Sequence, residues 1–190
     1  MACGRHEHGD HVTLPALTLV LGGARSGKSA YAEKFVEAVG GGVYLATAEA
    51  RDQEMHDRID VHQARRGDVW ITVEEPLDLC SALIRGLEIG SGAPILVDCL
   101  TLWLSNLMAA DKEIDQQANS LIETLTSLTA PVVMVSNEVG LGIVPDNALA
   151  RRFRDEAGKL NQRIADAADR VVFVAAGLPL VLKGDNTKEL

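Results

Sequence analysis

The amino-acid sequence predicts a single α/β domain in which a mostly parallel sheet is flanked by helices on both faces. Short, continuous apolar segments alternate along the chain with segments of helical periodicity, and the first apolar segment runs directly into a glycine-rich turn. The 190 residues are enough for one well-buried domain and too few for two comfortable ones. Strands that alternate with helices form mostly parallel sheets, because each helix crosses over one face of the sheet.

The predicted strands are short and apolar, as expected of strands that are covered on both faces. They cover residues 16–21, 43–47, 69–73, 94–98, 131–136 and 170–175. The predicted helices carry apolar residues at the spacing of an amphipathic helix. They cover residues 29–39, 52–66, 77–87, 101–108, 114–128 and 149–168. Val181 and Leu182 are predicted to close the ordered region, with a polar tail after Gly184.

The strongest functional signal is the P-loop motif Gly-x-x-x-x-Gly-Lys-Ser, which joins the first predicted strand to the first predicted helix. It consists of Gly22, Gly23, Ala24, Arg25, Ser26, Gly27, Lys28 and Ser29. Glycine lets the backbone approach phosphates closely, and the N–H groups at a helix N-terminus attract anions. We expect Lys28 to reach the β- and γ-phosphates and to act in catalysis, and the Ser29 hydroxyl to bind Mg²⁺. The fold is therefore predicted to be of the P-loop NTPase type; the alternative is a chance glycine turn before a helix.

Asp98 is the expected partner of this loop in holding a metal ion. The apolar run from Ile95 to Asp98 places a carboxylate at the carboxyl edge of a parallel sheet, which is where ligands bind in open α/β folds. Carboxylate oxygens suit Mg²⁺ as ligands. The alternative is an acidic residue that only ends a strand and caps the next helix.

Composition and charge narrow the possible classes of function. Hydrophobic residues make up 47% and charged residues 24%, which is typical of a globular protein. The net charge of −9 disfavours a general nucleic-acid binder, whose surface is normally basic. Three cysteines without paired-ligand spacing indicate a reducing compartment with no disulfide framework and no zinc site. We find neither a signal peptide nor a transmembrane segment in the pattern and expect a cytoplasmic protein with no integral membrane segment.

A histidine in the charged segment 52–66 is a candidate catalytic residue. His62 lies four residues after Arg58 and four before Arg66, so on one helix all three lie on adjacent turns. Two guanidinium groups beside an imidazole suit a bound phosphate and help to keep the imidazole neutral and nucleophilic. The residues alone favour the alternative, in which this histidine lies at an interface or on the surface.

A glycine- and proline-containing loop at residues 137–147 precedes a helix with Arg151, Arg152 and Arg154 in its first turns. Loops at the carboxyl ends of strands often carry function, and long ones often bind substrate. A solvated loop followed by a basic helical turn is an equally good interpretation.

Four blocks of sequence together resemble the bifunctional adenosylcobinamide kinase / adenosylcobinamide-phosphate guanylyltransferase family of cobalamin biosynthesis. The blocks are the P-loop, residues 46–62 beginning with Ala46-Thr47-Ala48, the strand that ends at Asp98, and residues 137–162. The resemblance extends over residues 17–183, and its second and fourth blocks are specific to the family. One position departs from the pattern: Val61 precedes His62, where relatives can carry a second histidine.

The resemblance implies two linked reactions. Adenosylcobinamide is phosphorylated with ATP or GTP, and GMP is then transferred from GTP to adenosylcobinamide phosphate, which gives adenosylcobinamide-GDP and pyrophosphate. It also implies that His62 attacks the α-phosphorus of GTP and carries GMP as a phosphoramidate. Mg²⁺ is the implied cofactor, and the implied assembly is a homo-oligomer, commonly a trimer. The implied nucleotide contacts outside the P-loop are Ala46, Thr47, Ala48, Gln63, Ala64, Arg65, Arg66, Glu74 and Asp98.

The expected domain organisation is simple. Residues 1–15 are expected to form a flexible N-terminal extension, with metal binding by His6-Glu7-His8 as a less favoured alternative. Residues 16–184 are expected to form the nucleotide-binding catalytic domain, and residues 185–190 a polar tail. Two other functions stay open: a P-loop kinase of another small metabolite, in which His62 is structural, and a nucleotide-dependent switch protein.

Overall fold

The computed structural model describes residues 13–49 and 67–185. The helix predicted at 52–66, which carries His62 and the predicted contacts Gln63, Ala64, Arg65 and Arg66, lies outside the described residues. So do residues 1–12 of the expected N-terminal extension and residues 186–190 of the expected tail.

In the described part of the chain, seven strands form one sheet in the order β3-β2-β4-β5-β1-β6-β7. The strands are β1 Leu17–Gly22, β2 Gly42–Ala46, β3 Trp70–Glu74, β4 Ile95–Asp98, β5 Val132–Asn137, β6 Arg170–Ala175 and β7 Leu178–Lys183. All neighbours pair in parallel except β6 and β7, which are antiparallel. The helices in the same part are α1 Lys28–Glu37, α2 Leu79–Ile89, α3 Leu100–Ala109, α4 Ile114–Ser127 and α5 Ala148–Ala167. None of these helices is long and apolar enough to cross a membrane.

The two faces of the sheet carry separate hydrophobic cores. One core contains α1 together with side chains such as Val20 and Leu96. The other contains α2, α3, α4 and α5 together with Leu19 and Val97. Neighbouring residues of one strand belong to different cores, because successive side chains of a strand point to opposite faces. Burial on both faces explains the continuous apolar runs of β1, β4 and β5, and the predicted α/β sheet with helices on both faces is confirmed.

One strand, β7, was not predicted. Val181 and Leu182 do not simply close the ordered region: they belong to an antiparallel edge strand that pairs with β6. Its three leucines, Leu178, Leu180 and Leu182, are all more than half exposed. The strand therefore lacks the burial on both faces that the continuous apolar runs of the predicted strands indicated. Pro179 also argues against a central strand, but an edge strand tolerates proline because one of its sides has no partner.

The start of α2 differs from its prediction by two residues. The helix begins at Leu79 rather than 77, because Asp78 is its N-cap and accepts a hydrogen bond from the Ser81 N–H at 3.1 Å. The N–H groups of Leu77 and Asp78 instead donate to the Glu75 carboxylate at 3.1 and 2.9 Å. The carboxylates before the helix therefore satisfy donors that an earlier helical turn would have left unpaired.

Candidate nucleotide-binding site

The glycine-rich segment between β1 and α1 forms a tight turn. Arg25 and Gly27 have φ angles of 57° and 94°, both in the left-handed region that glycine adopts without steric cost. A Cβ atom at Gly22 would lie 2.4 Å from Ser26 Oγ and 2.6 Å from the Val174 carbonyl oxygen, so glycine is required there. The segment ends at the N-terminus of α1, where backbone N–H groups and the helix dipole favour a bound phosphate.

The β6–β7 hairpin supports this P-loop. Its turn residues Ala176 and Gly177 have φ angles of 53° and 79°. The Gly177 N–H donates to the Ser26 carbonyl at 2.8 Å, and a Cβ atom at Gly27 would lie 3.1 Å from Gly177 Cα. The turn that leads into the unpredicted strand therefore helps to hold the backbone of the predicted phosphate-binding loop.

Lys28, the first residue of α1, turns its side chain back toward the loop. Its ammonium group donates to the Gly23 carbonyl at 3.1 Å, and the residue is only 8% exposed. Burial lowers the pKa of Lys28, while Cys99 and Asp98, when ionised, act in the opposite direction. A bound triphosphate would add negative charge beside this buried ammonium group and raise its pKa.

Asp98 ends β4 on the side of the sheet that carries α1. Residues two apart in a strand share a face, and Leu96 packs in the core that contains α1. Tyr44 of β2 donates its O–H to Asp98 Oδ2 at 2.7 Å. The N-cap of α3 is Cys99, so Asp98 does not cap the next helix. A carboxylate therefore stands at the carboxyl edge on the same side as Lys28.

The other described candidates lie at the carboxyl ends of β2 and β3. They are Ala46, Thr47, Ala48 and Glu74. Ala46 is in register with both Glu74 and Asp98, so these positions form one row across the sheet edge. The fully buried Thr47 hydroxyl donates to the Cys99 carbonyl at 2.7 Å and accepts from the Cys99 N–H at 2.8 Å. Thr47 thus joins β2 to the start of α3, and its contact with a nucleotide stays a prediction.

The loop after β5 begins beside the P-loop. The Glu138 N–H donates to the Gly22 carbonyl at 3.0 Å. At the other end, Asn147 Oδ1 caps α5 by accepting from the Ala150 N–H at 2.7 Å. Arg151 donates to the carbonyls of residues 145 and 146 at 3.0 and 2.7 Å. The strongly exposed apolar side chains between these anchors are Leu141, Ile143 and Val144.

The predicted metal ligands suit Mg²⁺. Ser29 and Asp98 offer a hydroxyl and a carboxylate, and Mg²⁺ prefers oxygen ligands. In residues 13–49 and 67–185, no group of three or more His, Cys, Asp or Glu side chains is arranged to hold a metal ion. A site with few protein ligands is compatible with Mg²⁺, which usually keeps several waters and binds substrate phosphates.

The hydrogen bond from Tyr44 to Asp98 was not predicted. A lone hydroxyl in the apolar strand β2 was the available signal. Its partner depends on β2 lying next to β4, which the sequence pattern does not state. The roles of His62, Gln63, Ala64, Arg65 and Arg66 stay predictions, because these residues lie outside the described ranges.

Comparison with known families and proteins agrees with the resemblance. The sequence model of the family described as cobinamide kinase / cobinamide phosphate guanyltransferase matches residues 18–182. The bifunctional adenosylcobalamin biosynthesis protein CobP of Pseudomonas aeruginosa is 50% identical over 170 residues, covering 88% of this chain and 97% of that protein. The bifunctional adenosylcobalamin biosynthesis protein CobU of Salmonella typhimurium is 39% identical over 185 residues, covering 88% of this chain and 99% of that protein.

Solved structures show the same fold at low sequence identity. A KaiC-like protein from Pyrococcus horikoshii superposes with a TM-score of 0.55 at 14% identity, covering 93% of this chain and 82% of that one. The flagellar accessory protein FlaH from Methanocaldococcus jannaschii superposes with a TM-score of 0.52 at 10% identity, covering 90% and 80% respectively. At these identities the likeness concerns the fold alone.

Proposed function

Because the chain is an enzyme that belongs to the cobinamide kinase / cobinamide phosphate guanyltransferase family, we propose that it acts on adenosylcobinamide in two steps. It phosphorylates adenosylcobinamide with ATP or GTP, and it then converts adenosylcobinamide phosphate to adenosylcobinamide-GDP with GTP. The single observation that carries this proposal is the tight P-loop, with the buried Lys28 at its end and Asp98 on the same side of the sheet. Such a site suits a nucleoside triphosphate with Mg²⁺.

The kinase step requires positioning and charge neutralisation rather than covalent chemistry by the protein. The P-loop N–H groups would hold the phosphates, and Lys28 would exchange its hydrogen bond to the Gly23 carbonyl for phosphate oxygens. Ser29 and Asp98 would hold Mg²⁺, which neutralises charge on the phosphates when it is bound. The hydroxyl oxygen of adenosylcobinamide forms a bond to the γ-phosphorus and gives up its proton to water. The bond from the γ-phosphorus to the β–γ bridging oxygen breaks, and the nucleoside diphosphate leaves.

The guanylyl step takes place at the α-phosphorus and requires a nucleophile on the protein. We assign this role to His62: a ring nitrogen forms a bond to the α-phosphorus while the bond to the α–β bridging oxygen breaks and pyrophosphate leaves. A phosphate oxygen of adenosylcobinamide phosphate then attacks the same phosphorus, and the N–P bond breaks. Arg58 and Arg66 would favour the neutral, nucleophilic imidazole, and residues 63–66 would contact the nucleotide.

We further propose that the protein is cytoplasmic, binds no nucleic acid and forms a homo-oligomer. The family resemblance implies a trimer. The three exposed leucines of β7 support assembly, since contiguous apolar patches often mark protein interfaces. A light-scattering mass equal to that of one chain would contradict this part of the proposal.

Mass spectrometry of the corrinoid products tests the two reactions together. When adenosylcobinamide is incubated with GTP, Mg²⁺ and the unchanged protein, we expect adenosylcobinamide phosphate to form first. Adenosylcobinamide-GDP and pyrophosphate are expected to form later. His62→Ala is expected to stop at adenosylcobinamide phosphate, because only the second step uses the imidazole. Phosphorylation of another small metabolite without any product from adenosylcobinamide would instead support the general kinase, and GTP hydrolysis without transfer would support a switch protein.

A further inference from the structure

A series of contacts leads from the end of α1 to the Asp98 carboxylate. Trp70 of β3 donates its indole N–H to Glu37 Oε1 at 3.0 Å. The Trp70 and Tyr44 rings meet edge to face, with centroids 5.7 Å apart and an interplanar angle of 84°. Tyr44 in turn donates its O–H to Asp98 Oδ2 at 2.7 Å. These side chains join the end of α1 to β3, β2 and β4, which are the first three strands in the order of the sheet.

The Tyr44 ring has little freedom to move. It is 2% exposed and packs in the core that contains α1. A buried phenol requires a hydrogen-bond partner, and a bond to an ionised carboxylate is stronger than one between neutral groups. A ring held by close packing therefore fixes the position of Asp98 Oδ2.

We propose that Tyr44 is a positioning residue for the metal and nucleotide site. Its O–H holds Asp98 Oδ2, which leaves the other carboxylate oxygen for Mg²⁺. Within the described residues, Asp98 Oδ1 takes part in no hydrogen bond. This inference rests on the proposed function, in which Asp98 holds Mg²⁺. Removing a hydrogen-bond partner that orients a metal ligand commonly weakens metal binding by about 10- to 100-fold.

Tyr44→Phe isolates the hydroxyl, because it keeps the ring that packs against Trp70. The probe is Mn²⁺, which is titrated into a mixture of the protein and a non-hydrolysable GTP analogue. The concentration of unbound Mn²⁺ is followed by its electron paramagnetic resonance signal. We expect Tyr44→Phe to bind Mn²⁺ about tenfold more weakly. The affinity for the analogue in EDTA and the far-ultraviolet circular dichroism are expected to stay unchanged, because neither depends on metal binding.

Tyr31→Phe is the matched control, since Tyr31 is the other tyrosine of the chain. Its ring lies in α1 and stacks on Phe35 with centroids 6.0 Å apart. The same chemical change is therefore made on the same side of the sheet, without touching Asp98. Tyr31→Phe is expected to bind Mn²⁺ as the unchanged protein does.

A double-mutant cycle with Asp98→Asn separates positioning from a general effect on structure. If Tyr44 acts through Asp98, Tyr44→Phe weakens Mn²⁺ binding in the unchanged protein and has little effect in the Asp98→Asn background. Equal effects in both backgrounds, unchanged Mn²⁺ affinity in Tyr44→Phe, or loss of folding in Tyr44→Phe would each overturn the inference.

The same data distinguish failure of this inference from failure of the proposed function. If the unchanged protein forms adenosylcobinamide-GDP while Tyr44→Phe keeps its full Mn²⁺ affinity, only the positioning role of Tyr44 is lost. If Asp98→Asn binds Mn²⁺ as the unchanged protein does, the assignment of Asp98 as a metal ligand fails, and the role of Tyr44 fails with it.

Discussion

Lys28 and Cys99 respond to burial in opposite directions near the carboxyl end of β4. Loss of water penalises the charged form of each group, so burial lowers the pKa of the Lys28 ammonium and raises the pKa of the Cys99 thiol to about 12. The nearby Asp98 carboxylate adds to the shift at Cys99 and opposes the shift at Lys28. Cys99 therefore stays protonated at neutral pH, and the negative charge next to Lys28 comes from Asp98.

The raised pKa of Cys99 predicts a loss of stability at alkaline pH. The thiol of the unfolded chain loses its proton near pH 9.0, whereas the folded chain keeps it to about pH 12. The folded state thus binds more protons in this range, so this contribution to stability is complete below pH 9 and is lost as the pH rises toward 12. Between pH 8 and pH 10, the free energy of unfolding is expected to fall by about 1 kcal/mol more in the unchanged protein than in Cys99→Ala.

Urea unfolding at the two pH values measures this difference. Cys80→Ala is the matched control, because Cys80 is only partly buried and lies in α2. This variant is expected to keep the pH dependence of the unchanged protein. If Cys99→Ala loses as much stability between pH 8 and pH 10 as the unchanged protein does, the buried thiol does not titrate as its surroundings require.

Single residues differ in how far their roles follow from the sequence. Gly22 and Gly27 belong to a motif whose spacing describes a local turn, and the local backbone geometry agrees with it. Thr47 illustrates the opposite case. Its hydroxyl is used by the backbone of Cys99, which lies 52 residues away along the chain. No local pattern could predict that contact, because it depends on the pairing of β2 with β4.

Among the elements, the buried strands were the easiest to predict and the β6–β7 hairpin was missed. β1 is buried along its whole length, so its apolar run is continuous. The hairpin turn places Ala176 and Gly177 at positive φ, a geometry in which asparagine, aspartate or glycine is usual at both positions. Because alanine is unusual at the first position, the sequence did not indicate a turn there. The hairpin is nevertheless important to the site, because Gly177 bonds to the P-loop carbonyl of Ser26.

The cap of α5 predicts how the loop at 138–147 is held. Asn147→Ala removes the acceptor for the Ala150 N–H and is expected to lower the free energy of unfolding by about 1 kcal/mol. Hydrogen exchange of the loop amides is expected to become faster, because the loop loses its anchor on α5. Asp78→Ala removes the equivalent cap of α2 and is expected to cost a similar amount without changing exchange in this loop. Equal loop exchange in the two variants would show that the cap does not restrain the loop.

At the scale of the whole molecule, the order of the strands decides which side chains meet. β5 lies between β1 and β4, and β2 lies on the far side of β4. This order brings Tyr44 to Asp98 and the start of the loop at Glu138 to the P-loop. The alternation of strands and helices predicted a parallel sheet, but several strand orders satisfy that alternation. The class of fold and the phosphate-binding loop were therefore predictable, whereas the neighbours of Asp98 were not.

The proposed guanylyl step requires His62 to carry GMP covalently. The most direct measurement is the intact mass of the protein after incubation with GTP and Mg²⁺. We predict one GMP per chain, in a linkage that acid breaks and base does not, as expected of a phosphoramidate. The adduct is predicted to be absent from His62→Ala and present in His56→Ala, which removes a histidine six residues earlier. An unmodified mass in the unchanged protein, or the same adduct in His62→Ala, would contradict this account.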